Sequence, residues 1–284
     1  MVSKSRLYYR MSFTVALFGL LFFLPIWVFW FSISMLRLPD HLLLFAGLHL
    51  IVGGLIIQQY RTGTATALRA VNAAPLEDEV LNQRLHALAE EMGVPTPILM
   101  IGRFGEANAF AAGRKGNGTI VLSDILLSTL DIDEIEAVMA HELSHLGTRD
   151  TTLMMFGETL DYAIYQAKYT LLDEIEGLAG AIVVIAAFII GGFLRLLIVP
   201  PLRLISRKRE FLADADAAET TDASSLTSAL EVAAAVNADV EPHPATEAVS
   251  SLCMYSTSSA LLDRVLGTHP PVEERIAYLK KHFG

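Results

Sequence analysis

The sequence predicts a mainly helical protein with a small β-sheet, held in a membrane by transmembrane helices. Three observations carry that prediction. The 284 residues are 53% hydrophobic with a mean hydropathy of +0.46, and only 18% are charged, below the roughly 25% of a typical soluble domain. The apolar excess sits in blocks, as in an integral membrane protein with a soluble part. Between those blocks, helical periodicity surrounds one compact cluster of strand and turn signals. A formal net charge of −10 argues against nucleic acid, which attracts basic surfaces. One cysteine, Cys253, leaves no internal disulfide and suits a reducing compartment.

The membrane elements come first along the chain. Residues 11–36 are uncharged and long enough to span a hydrocarbon core of about 30 Å. Trp27 and Trp30 fall toward the far end, where amphipathic rings prefer the interface. The run exceeds a secretory h-region and no A-x-A cleavage site follows, so it reads as an anchor. Residues 41–59 form a second span, closed by Tyr60 and Arg61. His41 and His49, in or beside that span, have no partner at ligand spacing and read as interfacial or packed residues. Lys4, Arg6 and Arg10 precede the first span, only Arg37 lies between the two, and Arg61 and Arg69 follow. The positive-inside bias therefore places the N-terminus and the chain after residue 60 in the cytoplasm.

A third apolar run covers residues 178–194 and extends to 199. One crossing here would put the flanking segments on opposite sides of the membrane. Residues 152–172 offer a partner, but Glu158, Asp161 and Lys168 make it a poor lipid-facing span. Either the two runs form a hairpin with its tip at 173–177, or neither fully crosses; the hairpin is the preferred arrangement. The expected organisation is then two N-terminal spans (1–62), the first part of a catalytic domain (63–150), a membrane-inserted hairpin (151–200) and the second part (201–284).

In the soluble part, residues 76–92 place Leu81, Leu85 and Leu88 on one face with acids in the first turn, as an amphipathic helix should. Gly93 and Pro95 stop it. Residues 98–101 read as a strand, and 108–113 with 119–122 read as a hairpin about the turn RKGNG. Asp131 with Glu134 three residues on is a capping signal, so a helix starts there and runs to about Gly147.

That helix carries HELSH at residues 141–145. Positions i and i+4 share a helix face, so His141 and His145 can direct two imidazoles at one ion. Glu142, beside the first of them, can take a proton from water that the ion activates. The bland reading is a helix with two surface histidines; the pattern is rare by chance, and its place in a capped, apolar helix favours zinc. An open zinc site needs a third protein ligand. A glutamate from a later helix is one common solution, and Glu210 offers it, with Asp214 at i+4 placed to orient a ligand histidine. A solvated basic–acidic helix following a membrane segment explains the same residues equally well.

Four stretches together resemble the HtpX-type membrane zinc endopeptidases, related more distantly to the CAAX prenyl proteases. They are Asn108-Ala-Phe-Ala-Ala-Gly113, the His141–His145 motif followed by Asp150, Ser206-Arg-Lys-Arg-Glu-Phe-Leu-Ala-Asp214, and Thr268-His-Pro-Pro271 with Arg275-Ile276. The resemblance covers nearly the whole chain and implies an α+β zincin-like catalytic domain. It implies one zinc ion per chain on His141, His145 and Glu210, with Glu142 as general base. It further implies a multi-pass protein of the cell membrane whose cytoplasm-facing site cleaves misfolded or damaged membrane proteins in quality control and stress response. Asn108, Ala109, Phe110 and Ala111 would form an edge strand to which an extended, unfolded substrate adds by main-chain hydrogen bonds; a strand serving only the fold is the alternative. His269 is either structural in its Pro-Pro turn or close to the metal as a fourth ligand or oxyanion partner. Arg275 either pairs with an acid or steadies an oxyanion, and Asp150 caps or orients the site. The partners are such substrates and the lipid bilayer, and a homo-oligomer is compatible with the sequence. Prenyl-protein processing and a non-catalytic membrane chaperone or scaffold are the competing functions.

Overall fold

A computed structural model describes residues 41–114, 116–148, 206–240, 252–254 and 269–284, together with Trp27, Phe31 and Val249. The expected first span, the runs 152–172 and 178–199 with their tip, and Asp150 lie outside the described residues. Helix α1 (His41–Ala70) contains the expected second span and continues unbroken past Tyr60 and Arg61. Among the described residues, no helix is long and apolar enough to cross a membrane.

The chain divides into two units, Met1–Tyr60 with Phe156–Leu202, and Arg61–Met155 with Arg203–Gly284. The second holds a small sheet covered by helices. Helix α2 (Glu79–Glu91) begins where Asp78 accepts a hydrogen bond from Leu81 N at 3.0 Å, and it buries Leu81, Leu85, Leu88 and Ala89. It is followed by Gly93 at φ +66°, a left-handed position that glycine adopts without a Cβ penalty. Both the buried face and the stop follow the sequence pattern.

The sheet has four strands, β1 (Ala74–Pro75), β2 (Ile98–Gly102), β3 (Ala109–Arg114) and β4 (Asn117–Ser123), in the order β1-β2-β4-β3. The β3–β4 hairpin is antiparallel, pairing Phe110 with Val121, whereas β2 and β4 run parallel. The strands 98–101 and 108–122 are therefore where the sequence puts them, and β3 is the last strand of the sheet. The short β1 and helix α3 (Asp124–Thr129) were not expected. Ser123 starts α3 by accepting from Leu126 N at 3.0 Å.

Helix α4 (Ile132–Thr148) lies on the β3–β4 hairpin. Its start is a reciprocal cap: Asp131 Oδ1 accepts from the backbone N–H groups of Asp133 and Glu134, while Asp131 N donates to Glu134 Oε2. That is the capping box read from the sequence. The helix buries Ala137, Val138, Met139, Ala140, Leu143 and Leu146. A Cβ at Gly118 would come within 2.8 Å of Leu146 Cδ1, so glycine in β4 is what lets the helix approach this closely. Arg84 of α2 holds the outer side, bonding Asp133 at 2.7 Å and also Glu136.

Three further helices of this unit are described: α5 (residues 206–220), α6 (Ala223–Asn237) and α7 (Val272–His282). Helix α6 packs on α4 and α7, and Ser228 donates to Glu134 of α4. Its last residue, Asn237, is buried and makes two bonds to one residue far along the chain. Asn237 Oδ1 accepts from Ala107 N at 2.8 Å, and Asn237 Nδ2 donates to Ala107 O at 3.0 Å. This amide clamps the turn entering β3. Asn237→Ala would orphan both groups of a buried peptide; the expected cost is about 2–4 kcal/mol, read as a lower midpoint in thermal unfolding of the detergent-solubilised protein.

Candidate metal and active site

The site is assembled from three helices that the sequence separates widely. Helix α4 supplies His141, Glu142 and His145, α5 supplies Glu210 and Asp214, and α7 supplies Arg275. The histidines share a face because they are four apart, and Glu210 and Asp214 share one for the same reason. The two helices pair antiparallel. His145 Nε2 lies 3.5 Å from Glu210 Oε1, and His141 Nδ1 lies 3.0 Å from Asp214 Oδ1.

The atoms that could bind an ion converge. His141 Nε2 and His145 Nε2 are 3.2 Å apart, and His141 Nε2 is 3.5 Å from Glu210 Oε2. One donor atom from each of the three residues falls within 4.8 Å of the others. Tetrahedral zinc with Zn–N near 2.0–2.1 Å would separate its ligand atoms by about 3.3 Å. The observed edges match that spacing.

Two more observations fit a cation at this point. Among the described residues, no hydrogen-bond partner is found for buried Glu210 Oε2 or for either oxygen of Glu142, although buried carboxylates are nearly always satisfied. Asp214, accepting from His141 Nδ1, fixes the tautomer whose Nε2 lone pair points at the common centre. The donor set, two imidazoles and a carboxylate, is that of an open zinc site.

Asp214 is itself held. Arg275 forks onto it, Nε donating to Oδ2 at 2.8 Å and Nη2 to Oδ1 at 2.5 Å. Such bidentate charge-assisted pairs are the strong, geometrically specific kind. The same guanidinium sends Nη1 to Met254 O at 2.7 Å and reaches within 3.5 Å of Glu210 Oε2. Its 3.4 Å approach to His141 Nδ1 brings two donors together, both of which serve Asp214.

Electrostatics follow from burial and these pairs. Burial opposes ionisation of Asp214, but the Arg275 guanidinium outweighs it and holds the carboxyl below its usual value. Burial likewise opposes charge on Glu210, yet His269 and the two site histidines keep its carboxyl well below the usual range. Among the described residues, Glu142 has no such hydrogen-bonded partner, and burial pushes its carboxyl upward. Burial lowers His145 to about 4. It also opposes protonation of His141, but Asp214 and Glu210 raise that residue to about 9. Arg209, next to Glu210, is pulled down to about 9 by burial.

The remaining sequence candidates divide. His269 is buried with Nδ1 3.2 Å from Glu210 Oε1, so its Pro-Pro turn does reach the ligand carboxylate. Asn108, Ala109, Phe110 and Ala111 lie at the outer strand, yet each is at most 2% exposed. The outward Ala109 O accepts from Met254 N at 2.8 Å, and Phe110 bridges Cys253. Sequence reasoning missed Met254 and Asn237. A backbone carbonyl carries no sequence signal, and an asparagine ending an alanine-rich helix looks like an ordinary helix stop. Ser206 and Arg209, which the alternative of a solvated basic–acidic helix would expose, are buried, whereas Lys208 is exposed.

Asp214→Ala would strip His141 Nδ1 of its acceptor and leave Arg275 to face Glu210 at 3.5 Å. We expect zinc affinity to fall about 10–100-fold, measured by competition with a chelating indicator.

Comparison with known proteins agrees with this geometry. Residues 75–282 match peptidase family M48. The chain is 32% identical over 258 residues to a protein named Protease HtpX homolog from Halobacterium salinarum, covering 81% of this chain and 88% of that one. It is 34% identical over 210 residues to the protein of the same name from Acidiphilium cryptum, covering 68% and 70%. Among solved structures, S. mikatae Ste24p shares the fold, with a TM-score of 0.51 at 20% identity over 95% of this chain and 67% of that one. A two-histidine, one-glutamate constellation on two antiparallel helices, matched along most of the chain, has one consistent interpretation: the protein belongs to peptidase family M48 and is a metallo-endopeptidase.

Proposed function

We propose that this metallo-endopeptidase uses one zinc ion per chain, is anchored in the cell membrane, and cleaves misfolded or damaged proteins presented as extended chains on the cytoplasmic side. The observation that carries the zinc chemistry is the convergence of His141, His145 and Glu210 beside the buried carboxylate of Glu142. When bound, the ion supplies a Lewis acid that polarises the scissile carbonyl and acidifies water.

The chain's own residues do the rest. Glu142 takes the proton of the attacking water and returns it to the leaving amine. Asp214 keeps His141 turned, and Arg275 keeps Asp214 turned. We place an extended substrate on the strand at residues 108–111, where Ala109 O accepts from Met254 N in the closed form; main-chain addition tolerates many sequences. The apolar runs 11–36, 41–59 and 178–199 and the distribution of Lys and Arg support the anchor and its orientation.

Prenyl-protein processing is the runner-up. It has in its favour the likeness to Ste24p, which at 20% identity extends to the fold alone. A non-catalytic chaperone or scaffold would have no need for a base beside two ligands.

Two measurements test this reading. Glu142→Gln should retain one zinc per chain while cleavage of unfolded casein drops by about 10²–10⁴-fold; undiminished cleavage would sink the assignment. A cysteine placed within 173–177 should react with an impermeant thiol reagent only from outside the cell if the insertion is a crossing hairpin. Reaction from the cytoplasm would mean that the insertion stays on or within one leaflet.

A further inference from the structure

An extended substrate needs an open strand edge, and the edge at this site is closed by the protein itself. Strand β3 ends the sheet, so its outward backbone groups are the ones a substrate would pair with. In a strand those groups recur every second residue, here at positions 107, 109 and 111. Both polar groups of Ala107 are taken by Asn237. At Ala109, the N–H donates to Asn108 Oδ1 at 3.1 Å and the carbonyl accepts from Met254 N. Phe110 sits directly opposite Cys253 in an antiparallel bridge.

Backbone groups of the segment that closes the edge are themselves engaged. Leu252 N and Cys253 N both donate to Val249 O, at 2.8 and 3.2 Å, and Met254 O is held by Arg275 Nη1 at 2.7 Å. Val249, Cys253 and Met254 are each at most 1% exposed. Residues 252–254 thus lie where an incoming antiparallel chain would lie, and use the carbonyl it would use. Among the described residues their pairing is a single bridge, against six register pairs between β3 and β4.

We propose that residues 252–254 act as an internal stand-in for substrate, and that an extended peptide binds by exchanging with them on the Ala109–Ala111 edge. This rests on the reading of the chain as a peptidase of extended chains. Exchange also has a consequence at the metal centre: losing Met254 O frees one N–H of Arg275, 3.5 Å from Glu210 Oε2. Entry of substrate and the hydrogen-bond state of the site are thereby linked through one side chain.

A disulfide across the bridge tests this. Residues opposite one another in an antiparallel pair lie about 4.5–5.5 Å apart at Cα, within disulfide reach. Phe110→Cys would therefore place a thiol against native Cys253 in the full-length, zinc-loaded chain in detergent. Once oxidised, it should cleave unfolded casein at least about tenfold more slowly than when reduced, with zinc content unchanged, because the competent state is locked out. Dithiothreitol should restore the rate, and Phe110→Cys with Cys253→Ser should show no redox response. Equal rates from fully cross-linked and reduced protein would overturn the proposal. If Phe110→Cys does not fold, Met254→Pro serves, compared with Met254→Ala, because only proline removes the N–H that bonds Ala109. KM should fall about threefold or more in the proline variant relative to the alanine one, since the competent fraction rises; equal KM values overturn the exchange. Zinc-loaded wild type that cleaves no unfolded chain at all would remove the peptidase reading itself, and the exchange with it.

Discussion

The buried pair between Arg275 and Asp214 is the constraint on which the site depends. Both side chains are at most 2% exposed, and desolvating two charges is repaid only when geometry is close to ideal and the remaining donors find partners. The fork onto Asp214, the bond to Met254 O and the approach to Glu210 supply those partners. Removing Asp214 would leave Arg275 to face Glu210 at 3.5 Å, and removing Arg275 would leave Asp214 to His141 at 3.0 Å. The pair therefore does more than orient His141. It fixes α7 against α5 and so determines where Glu210 stands.

Around that pair, small residues set the distances. Ala137 and Ala140 on α4, Ala213 and Ala217 on α5, and Ala229 and Ala233 on α6 are all buried. Helices faced with alanine pack closely, and Gly118 lets α4 approach the hairpin in the same way. Close packing matters here because two histidines and a glutamate must meet at edges of 3.2–3.5 Å. A bulkier interface would open the site before it destabilised the fold. The aromatic side chains sit to one side, Phe104 against Phe110 and Phe211 against Tyr278, where they fill volume without separating the ligand helices.

What the sequence revealed, and what it hid, follows from how local each feature is. The i, i+4 histidines, the Asp131–Glu134 capping box and the apolar face of α2 are written within single turns of helix, and the structure shows each of them. The β3–β4 hairpin was legible because a glycine-bearing turn separates its two apolar runs. Glu210 was ambiguous from spacing alone, since a carboxylate in a basic segment reads equally well as solvated; the resemblance to a family favoured the ligand reading. Asp214 and Arg275 lie 61 positions apart, and no local pattern announces a pair at that distance. The Asn237–Ala107 clamp spans 130 positions and uses backbone groups, which every residue carries. Helix α6 went unread because its alanines and serines give little hydrophobic contrast between faces.

The antiparallel register of α4 and α5 has a topological consequence for the chain between them. His141 meets Asp214 and His145 meets Glu210, so positions later in α4 meet positions earlier in α5. Thr148, where α4 ends, and residue 206, where α5 begins, therefore lie toward the same end of the helix pair. A chain that leaves and re-enters a domain at one end must make an even number of membrane crossings in between. A single crossing by residues 178–199 is incompatible with a formed metal site, because it would hold Glu210 on the far side from His141 and His145. Two crossings or none remain. The charges Glu158, Asp161 and Lys168 in the first run are costly in lipid, and only a protein-facing or water-facing helix would relieve them. With residues 151–200 read as a membrane insertion, the geometry of the site would dictate the parity of that insertion, and the insertion would decide whether Glu210 reaches His141 and His145.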